Sequence, residues 1–533
     1  MVTSPEISTE SGFSLSGNYY LSIVVKENKT KVCFPLRSQN SLFCFELDGL
    51  IDQHRIGHHP WFGYDDGSNV IVPPDRPGFI IRKSSPAYTG QPTAFSKIFW
   101  KLQQTVKSVK THWSEIPVLY SEFGSASPAI AFLEASGDLF VSVGDTPDRS
   151  ILSAIHISRA GRETIRKESA EFAKRFSFLP NEWLKQNAFL SLFYSNSRCV
   201  DHENSCIMAS KSPEYYVSSG FWSRDFVLWS LPLIELLDPP RSRELIHVLL
   251  TEYWKNRGTH ALYLDGRILY EGFELDELAA YLIALSKGVR LGIVGTENAE
   301  KRVAEILADL ESKRSSSAVL YRTDLNSSDD PVVYPYVTYD NVLLWHSLRM
   351  MADSIPGTRS GVDLSKLAEG LRSDIMSKLV SPEKRLFCYS SDLNGNFEYY
   401  DDPTGSLLLL PSLGFISAND GRMIATARWI KSSSNRYLKN GRFGGVSNRH
   451  VAHPWVHHSA NLLLAGDRDG LRIAEAPLDN RFACETIDEL TGSCLTGIHF
   501  PGSAGFLVSS FLSFANAGGA SRNPIRKKRE RRS

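Results

Sequence analysis

This 533-residue chain has no net charge, no long apolar run and no paired-cysteine motif. Lys+Arg and Asp+Glu both total 59, so charge offers no basis for a nucleic-acid or membrane-surface partner. No apolar run approaches the ~20 residues that a bilayer-crossing helix needs. Met1 to Gly12 is polar and has neither a basic nor an apolar leader segment, unlike a secretory signal. The seven cysteines, Cys33, Cys44, Cys199, Cys206, Cys388, Cys484 and Cys494, are scattered and never form CxxC, which removes the usual zinc and redox motifs. They read as free thiols in a reducing compartment. The expectation is a cytoplasmic protein that calls for no metal and no cofactor.

What is present is an ordinary globular composition, 42% hydrophobic and 22% charged, in a chain long enough for more than one domain. Residues 1–160 read as a β-rich, sandwich-like accessory domain. Short runs such as Tyr19 to Val25, Lys31 to Pro35, Ser41 to Leu47, Val70 to Pro73, Gly78 to Arg82, Pro117 to Phe123, Ala129 to Glu134 and Asp138 to Val143 are punctuated by turn residues. A helical interruption is expected near Phe95 to Val109. His54, His58 and His59 lie close to Trp61 but lack a further ligand for a metal site. Residues 521–533 end in Arg526-Lys527-Lys528-Arg529, a charge run that reads as a solvated, disordered tail.

The period changes after residue 160. Asn181 to Tyr194 has helical apolar spacing. From there, nearly all-apolar segments (Phe226 to Leu237, Leu278 to Leu285, Val342 to Met351, Leu407 to Phe415, Ser459 to Leu464, Ala504 to Ala517) alternate with amphipathic ones (Arg243 to Lys255, Glu297 to Arg314, Asp363 to Leu379, Arg422 to Ile430). Apolar helices belong inside protein and amphipathic ones at its surface. A polar, aromatic loop precedes each apolar segment, and the loops recur at intervals of roughly 45–65 residues, as a helical-hairpin array requires. The expectation for 161–520 is a mainly α, closed (α/α)6 toroid whose six loops line one pocket.

The loops hold Trp222, Arg224 and Asp225; Glu274 and Asp276; Asp329 and Asp330; Asp401 and Asp402; Arg449, His450 and Trp455; and Glu485. Acids grip sugar hydroxyls and aromatic faces pack on pyranose rings. Two carboxyl groups suffice for glycoside hydrolysis, one protonating the leaving oxygen and one activating water or attacking the anomeric carbon. Helix capping and structural ion pairs compete with these roles. His450, His453, His457 and His458 lack the HExxH spacing of a zinc site.

In order along the chain, these segments resemble glycoside hydrolase family 125, the metal-independent exo-α-mannosidases of the six-hairpin glycosidase superfamily. Phe221-Trp222-Ser223-Arg224-Asp225 is similar to the family's Met-Trp-Leu-Arg-Asp-Ser. Tyr270 to Asp276 is similar to its Tyr-Glu-x-x-(Glu)-Ile-Asp-Ser, and Ser328-Asp329-Asp330 to its Ser-Asp-Asp-Ala. Asp401-Asp402-Pro403-Thr404-Gly405 is similar to its Asp-Asp-Ala-Asn, Gly444 to His458 to its Gly-rich loop, and Cys484-Glu485 to its His-Glu-x-Phe. The resemblance implies an inverting exo-glycosidase acting on terminal α-linked sugars of a glycan. Asp276 would be the general acid and Glu485 the general base. Trp222, Arg224, Asp225, Glu274, Asp329, Asp330, Asp402, Arg449, His450 and Trp455 would hold the sugar. Phe226, Glu277 and Cys484 replace the family's Ser, Ser and His, so substrate is less determined than fold. The alternatives are a glucoamylase- or trehalase-like α-glucosidase, a lyase or epimerase on the same barrel, and an inactive glycan-binding barrel.

Overall fold

The computed structural model describes residues 173–198, 205–210, 215–216 and 220–517, and before them the backbone of ten strands and isolated positions between 159 and 171. It divides into two units. The first is Met1–Pro180 with Asn196–Cys206 and Ser210–Ser219. The second is Asn181–Ser195, Ile207–Ala209 and Gly220–Ser533.

In the first unit, six strands form one sheet in the order Glu6–Phe13, Tyr19–Lys26, Asp138–Gly144, Ala129–Ala135, Glu115–Ser121, Thr105–Lys110. Cys44–Glu46 pairs with Phe99–Lys101, and Val70–Ile71 with Ile81–Arg82. Where a helix is expected near Phe95 to Val109, the described residues Phe99–Lys101 and Thr105–Lys110 are strands. Thr105, Val106 and Val109 are β-branched, and this composition prefers a pleated backbone to a helix. Lys31 to Pro35, the histidines near Trp61 and the basic tail lie outside the described residues.

The second unit holds the helices. We number them α1 (Glu182–Tyr194), α2 (a π-helical turn, Asp225–Ser230, continued by Leu231–Leu237), α3 (Pro239–Thr251), α4 (Leu275–Arg290), α5 (Thr296–Glu311), α6 (Thr338–Ser354), α7 (Arg359–Lys378), α8 (Gly421–Ile430), α9 (Val456–Leu464) and α10 (Pro501–Asn516). A 3-10 turn, Leu407–Leu409, stands between α7 and α8, and a 3-10 run, Arg468–Glu475, follows α9. Their starts follow capping chemistry. Asn181, Asp238, Thr358 and Asp420 each accept a hydrogen bond from an amide of the following turn, and Pro239 fills the first position of α3.

α2, α4, α6, the Leu407–Leu409 turn, α9 and α10 contact one another in succession, and α10 returns to α2. This closes the inner ring of the expected (α/α)6 toroid. α4 is buried on every face from Leu275 to Ser286, whereas α5 buries only the stripe Ala299, Val303, Ile306 and Leu310, the contrast that inner and outer positions demand. One expected inner helix is much shorter than read. The Leu407 to Phe415 segment makes a single 3-10 turn because Pro411 has no N–H for a carbonyl one turn back and Gly414 turns left-handed at φ 73°. No helix among the described residues is long and apolar enough to cross a membrane.

Candidate active site

The loops leading into the inner helices converge through one cation. Arg224, 2% exposed, donates from Nη1 to Glu274 Oε2 at 2.6 Å and to Asp276 Oδ2 at 3.3 Å, from Nη2 to Asp329 Oδ1 at 2.9 Å, and from Nε to Asp225 Oδ1 at 3.3 Å. Burial opposes its charge, but Asp276, Glu274, Asp329 and Glu277 outweigh that and hold its pKa well above the usual value. A planar guanidinium with several donors is suited to tie three loops together in this way.

Arg224 is itself held from below by α4. Glu277 Oε2 accepts the backbone amides of Ser223 at 2.6 Å and Arg224 at 3.1 Å, so this carboxylate caps the entry to α2. The first turn of α2 is π-helical, a rare geometry concentrated at functional sites. Burial raises the pKa of Glu277 well above normal, against the pull of Arg224. Burial, only partly offset by Arg224, also pushes Asp225 up to about 8.

The second loop supplies Glu274 and Asp276, both 0% exposed. Glu274 lies 2.9 Å from His260 Nδ1. Burial disfavours the imidazolium of His260, yet Asp329 and Glu274 overcome this and raise its pKa to about 9. Asp276 Oδ2 accepts from Ser327 Oγ at 2.6 Å and its Oδ1 from the Glu277 amide at 2.8 Å. Both acids are enclosed supports of Arg224 rather than groups facing an open pocket. His260, Glu274 and Asp329 offer ligand atoms within 4.8 Å of one another, but Arg224 already occupies two of these three carboxyl and imidazole partners.

In the third loop, Asn326 Oδ1 accepts the amides of Ser328 and Asp330, both at 3.0 Å. This tight turn places Asp329 at φ 66°, in the left-handed region, where strain collects at functional sites. The side chains of Asp329 and Asp330 are 34% and 18% exposed. Asp330 Oδ1 lies 3.4 Å from His450 Nδ1, whereas its Oδ2 has no partner among the described residues. The hydrogen bond from His450 and the surrounding acids raise the His450 pKa.

Asp401 and Asp402 divide their labour. Asp401 accepts from Ser406 Oγ and the Leu407 amide, at 2.9 and 2.8 Å, and so caps the 3-10 turn. Asp402 accepts from Ser328 Oγ and from Thr404 Oγ1, the latter at 2.9 Å, while its Oδ2 has no partner among the described residues. Burial pushes them up to about 8 and about 6. Asn448 Nδ2 also donates to Ser328 at 2.8 Å, which joins the third, fourth and fifth loops. Arg449 pairs with Glu398 and lies 4.7 Å over the Tyr400 ring.

The four clustered histidines do not converge. His450 meets Asp330 and His453 meets Glu489 at 3.0 Å. His457 and His458 are core residues, their pKa values lowered by burial to about 3 and about 4. Trp222 and Trp455 are buried, each with an indole N–H unpartnered among the described residues.

Glu485 enters from the sixth loop, just ahead of the hairpin Thr486–Ile487 and Cys494–Thr496. It is 4% exposed, and its charge acts on both Asp225 and His450. Cys484 and Cys494 form a disulfide with Cα atoms 6.1 Å apart, inside the range such a bond requires. The expectation of seven free thiols is thus corrected: strand pairing brings together two cysteines whose spacing matches no motif.

Residues 300–465 match the family model described as metal-independent alpha-mannosidase (GH125). Over this segment the chain resembles GH125. The matched segment includes Asp329, Asp330, Asp402, Arg449, His450 and Trp455, while Arg224, Asp276 and Glu485 lie outside it. Among solved structures, the chain is similar to the metal-independent alpha mannosidase of Streptococcus pneumoniae, solved in a non-productive complex with alpha-1,6-mannobiose. The identity is 16% and the TM-score 0.53, over 67% of this chain and 99% of that one. A bacterial glucoamylase complexed with acarbose is 11% identical with TM-score 0.55, over 95% and 85%. Both likenesses show the fold, an (α/α)6 toroid. No curated protein matches it in sequence.

His260 and Ser327 escaped the sequence reading, each a single polar residue outside any motif. Ser328 and Glu277 entered it only as a motif member and as the replacement of a family Ser, with no role attached. Only the Asp doublet next to Ser327 and Ser328 hinted at that turn.

Proposed function

We propose that this GH125-like protein is an exo-acting, inverting glycosidase that removes terminal α-mannosyl units, with Glu485 as general base and Asp330 as general acid. The observation that carries the reading is Asp330, whose side chain is 18% exposed and whose buried Oδ2 has no partner among the described residues, with His450 linking its loop to the field of Glu485. In the reaction, the Asp330 carboxyl protonates the glycosidic oxygen as the bond to the anomeric carbon breaks. Glu485 takes a proton from a water that attacks the opposite face. The product sugar has inverted configuration, and the two carboxyl groups require a separation of about 6.5–9.5 Å. The dense set of buried acids around Arg224 and Asp225 suits the closed end of a pocket, which supports exo action.

The expected acid, Asp276, is better suited to positioning. A general acid must come within hydrogen-bond reach of the leaving oxygen, and Asp276 is enclosed with Ser327, Arg224 and the Glu277 amide on its oxygens. Asp330→Asn and Glu485→Gln are expected to lower turnover of an α-mannobioside about 10²–10⁴-fold. Only Asp330→Asn should recover on an aryl mannoside whose leaving group needs no proton. Recovery in Asp276→Asn and none in Asp330→Asn would return the acid role to Asp276.

An α-glucosidase is the second reading, favoured by the fold likeness to the glucoamylase over 95% of this chain. Matched aryl α-mannosides and α-glucosides separate the two. The Cys484–Cys494 disulfide supports an oxidising compartment over the cytoplasmic reading.

A further inference from the structure

Gly497 stands at φ 58° in the strand-end turn that follows Cys494–Thr496. A Cβ added there would lie 2.3 Å from Cγ and Cδ of Glu485 and 2.6 Å from its Oε2. These distances are far inside van der Waals contact, so the Glu485 side chain lies directly on the bare α-carbon of Gly497. The surrounding backbone is pinned on both sides. The Glu485 amide donates to the Thr496 carbonyl at 3.1 Å, and the Val456 amide donates to the Glu485 carbonyl at 2.8 Å. Thr486 Oγ1 and Thr496 Oγ1 are 2.6 Å apart, and the Cys484–Cys494 bond crosses the same hairpin. With the backbone held, a side chain at position 497 cannot be accommodated by moving the strand. The carboxylate itself must move.

We propose that Gly497 is a positioning residue for the carboxylate of Glu485. The absence of a side chain, more than its left-handed backbone, is what position 497 contributes. This rests on the reading of Glu485 as general base. A displacement of about 1 Å at a catalytic group costs about a hundredfold in rate.

The test uses the full-length protein and an α-mannobioside. Gly497→Asn is the informative variant, because Asn tolerates the left-handed region yet still carries a Cβ. Gly497→Ala adds the same Cβ with backbone strain. Both are expected to lower kcat about a hundredfold while KM and thermal midpoint change little, and to displace the acidic limb of the pH profile, which reports the general base. In a Glu485→Asp background, whose shorter side chain withdraws from position 497, Gly497→Ala should cost less than a few-fold more. Full activity in Gly497→Asn would overturn the proposal, as would equal losses in the two backgrounds. Full activity in Glu485→Gln would instead overturn the base reading, so the two failures are distinct. If both glycine variants melt early, the double variant decides, since a purely structural defect persists when Glu485 is shortened.

Discussion

Glu277 on α4 caps the entry of α2, accepting the amides of Ser223 and Arg224 on one carboxylate oxygen at 2.6 and 3.1 Å. The residue that orients the central cation is therefore not among the residues that touch its guanidinium most closely. Glu277→Ala leaves two buried amides without an acceptor, at about 1–3 kcal/mol each. Denaturant unfolding should show a loss of that order, with a large fall in activity as Arg224 loses its anchor. Glu277→Gln, which keeps an acceptor oxygen, should lose much less stability.

Arg224 lies within ion-pair distance of five acids. Arg224→Ala removes the compensating charge from buried carboxylates, a change that costs about 3–5 kcal/mol. Arg224→Lys keeps the charge but not the fork, so it should restore part of the thermal midpoint and little of the turnover. Equal activity of Arg224→Lys and wild type would reject the geometric role.

Stability should fall as pH rises from 6.5 to 9. His260 is raised to about 9, so its contribution is complete below its unfolded pKa and is lost as pH climbs through 9. Asp225 and Asp401, raised to about 8, bind protons more tightly folded than unfolded, so their effect has the same sign between 4 and 8. His457 and His458, lowered to about 3 and 4, act at the other end and remove stability as pH falls below 6.5. Thermal melts across this range should give a maximum at mildly acidic pH. His260→Gln should flatten the alkaline limb.

Trp222 presents a buried indole N–H without a partner among the described residues. Trp222→Phe keeps an aromatic face and deletes that donor. If the donor serves a sugar hydroxyl, KM should rise about tenfold, the equivalent of one net hydrogen bond of about 1.4 kcal/mol. An unchanged KM would assign Trp222 to packing.

The Cys484–Cys494 disulfide closes a short loop, which predicts stabilisation of about 2–3 kcal/mol. Unfolding with and without reductant measures it. Mass analysis of a non-reduced digest should show the two peptides joined.

The toroid was legible because apolar and amphipathic helices differ in period, and six repetitions leave few other ways to bury the apolar set. Leu407 to Phe415 misled because apolarity reports burial and not length, and Pro411 cut the helix short. The loop acids were legible as a group, but their roles were not. Asp276 and Asp330 both belong to acidic segments that lead into apolar helices. Only the tertiary packing shows that the side chain of the first is fully buried and that of the second 18% exposed. His260 and Gly497 carried no local signal, since each acquires its importance from a partner distant in the chain: Asp329 for the first, 69 residues on, and Glu485 for the second, across a hairpin.

The π-helical turn at Asp225–Ser230 sets how this segment can vary. Its six residues sweep about the arc that five residues of ordinary helix cover at about 100° each. Deleting one residue there would let the turn tighten to an ordinary helix while Arg224 stayed by its acids and the apolar face of Leu231–Leu237 stayed seated. Relatives that keep these contacts are therefore free to differ by one residue in length at this turn, a change that an ordinary helix would turn into a loss of register.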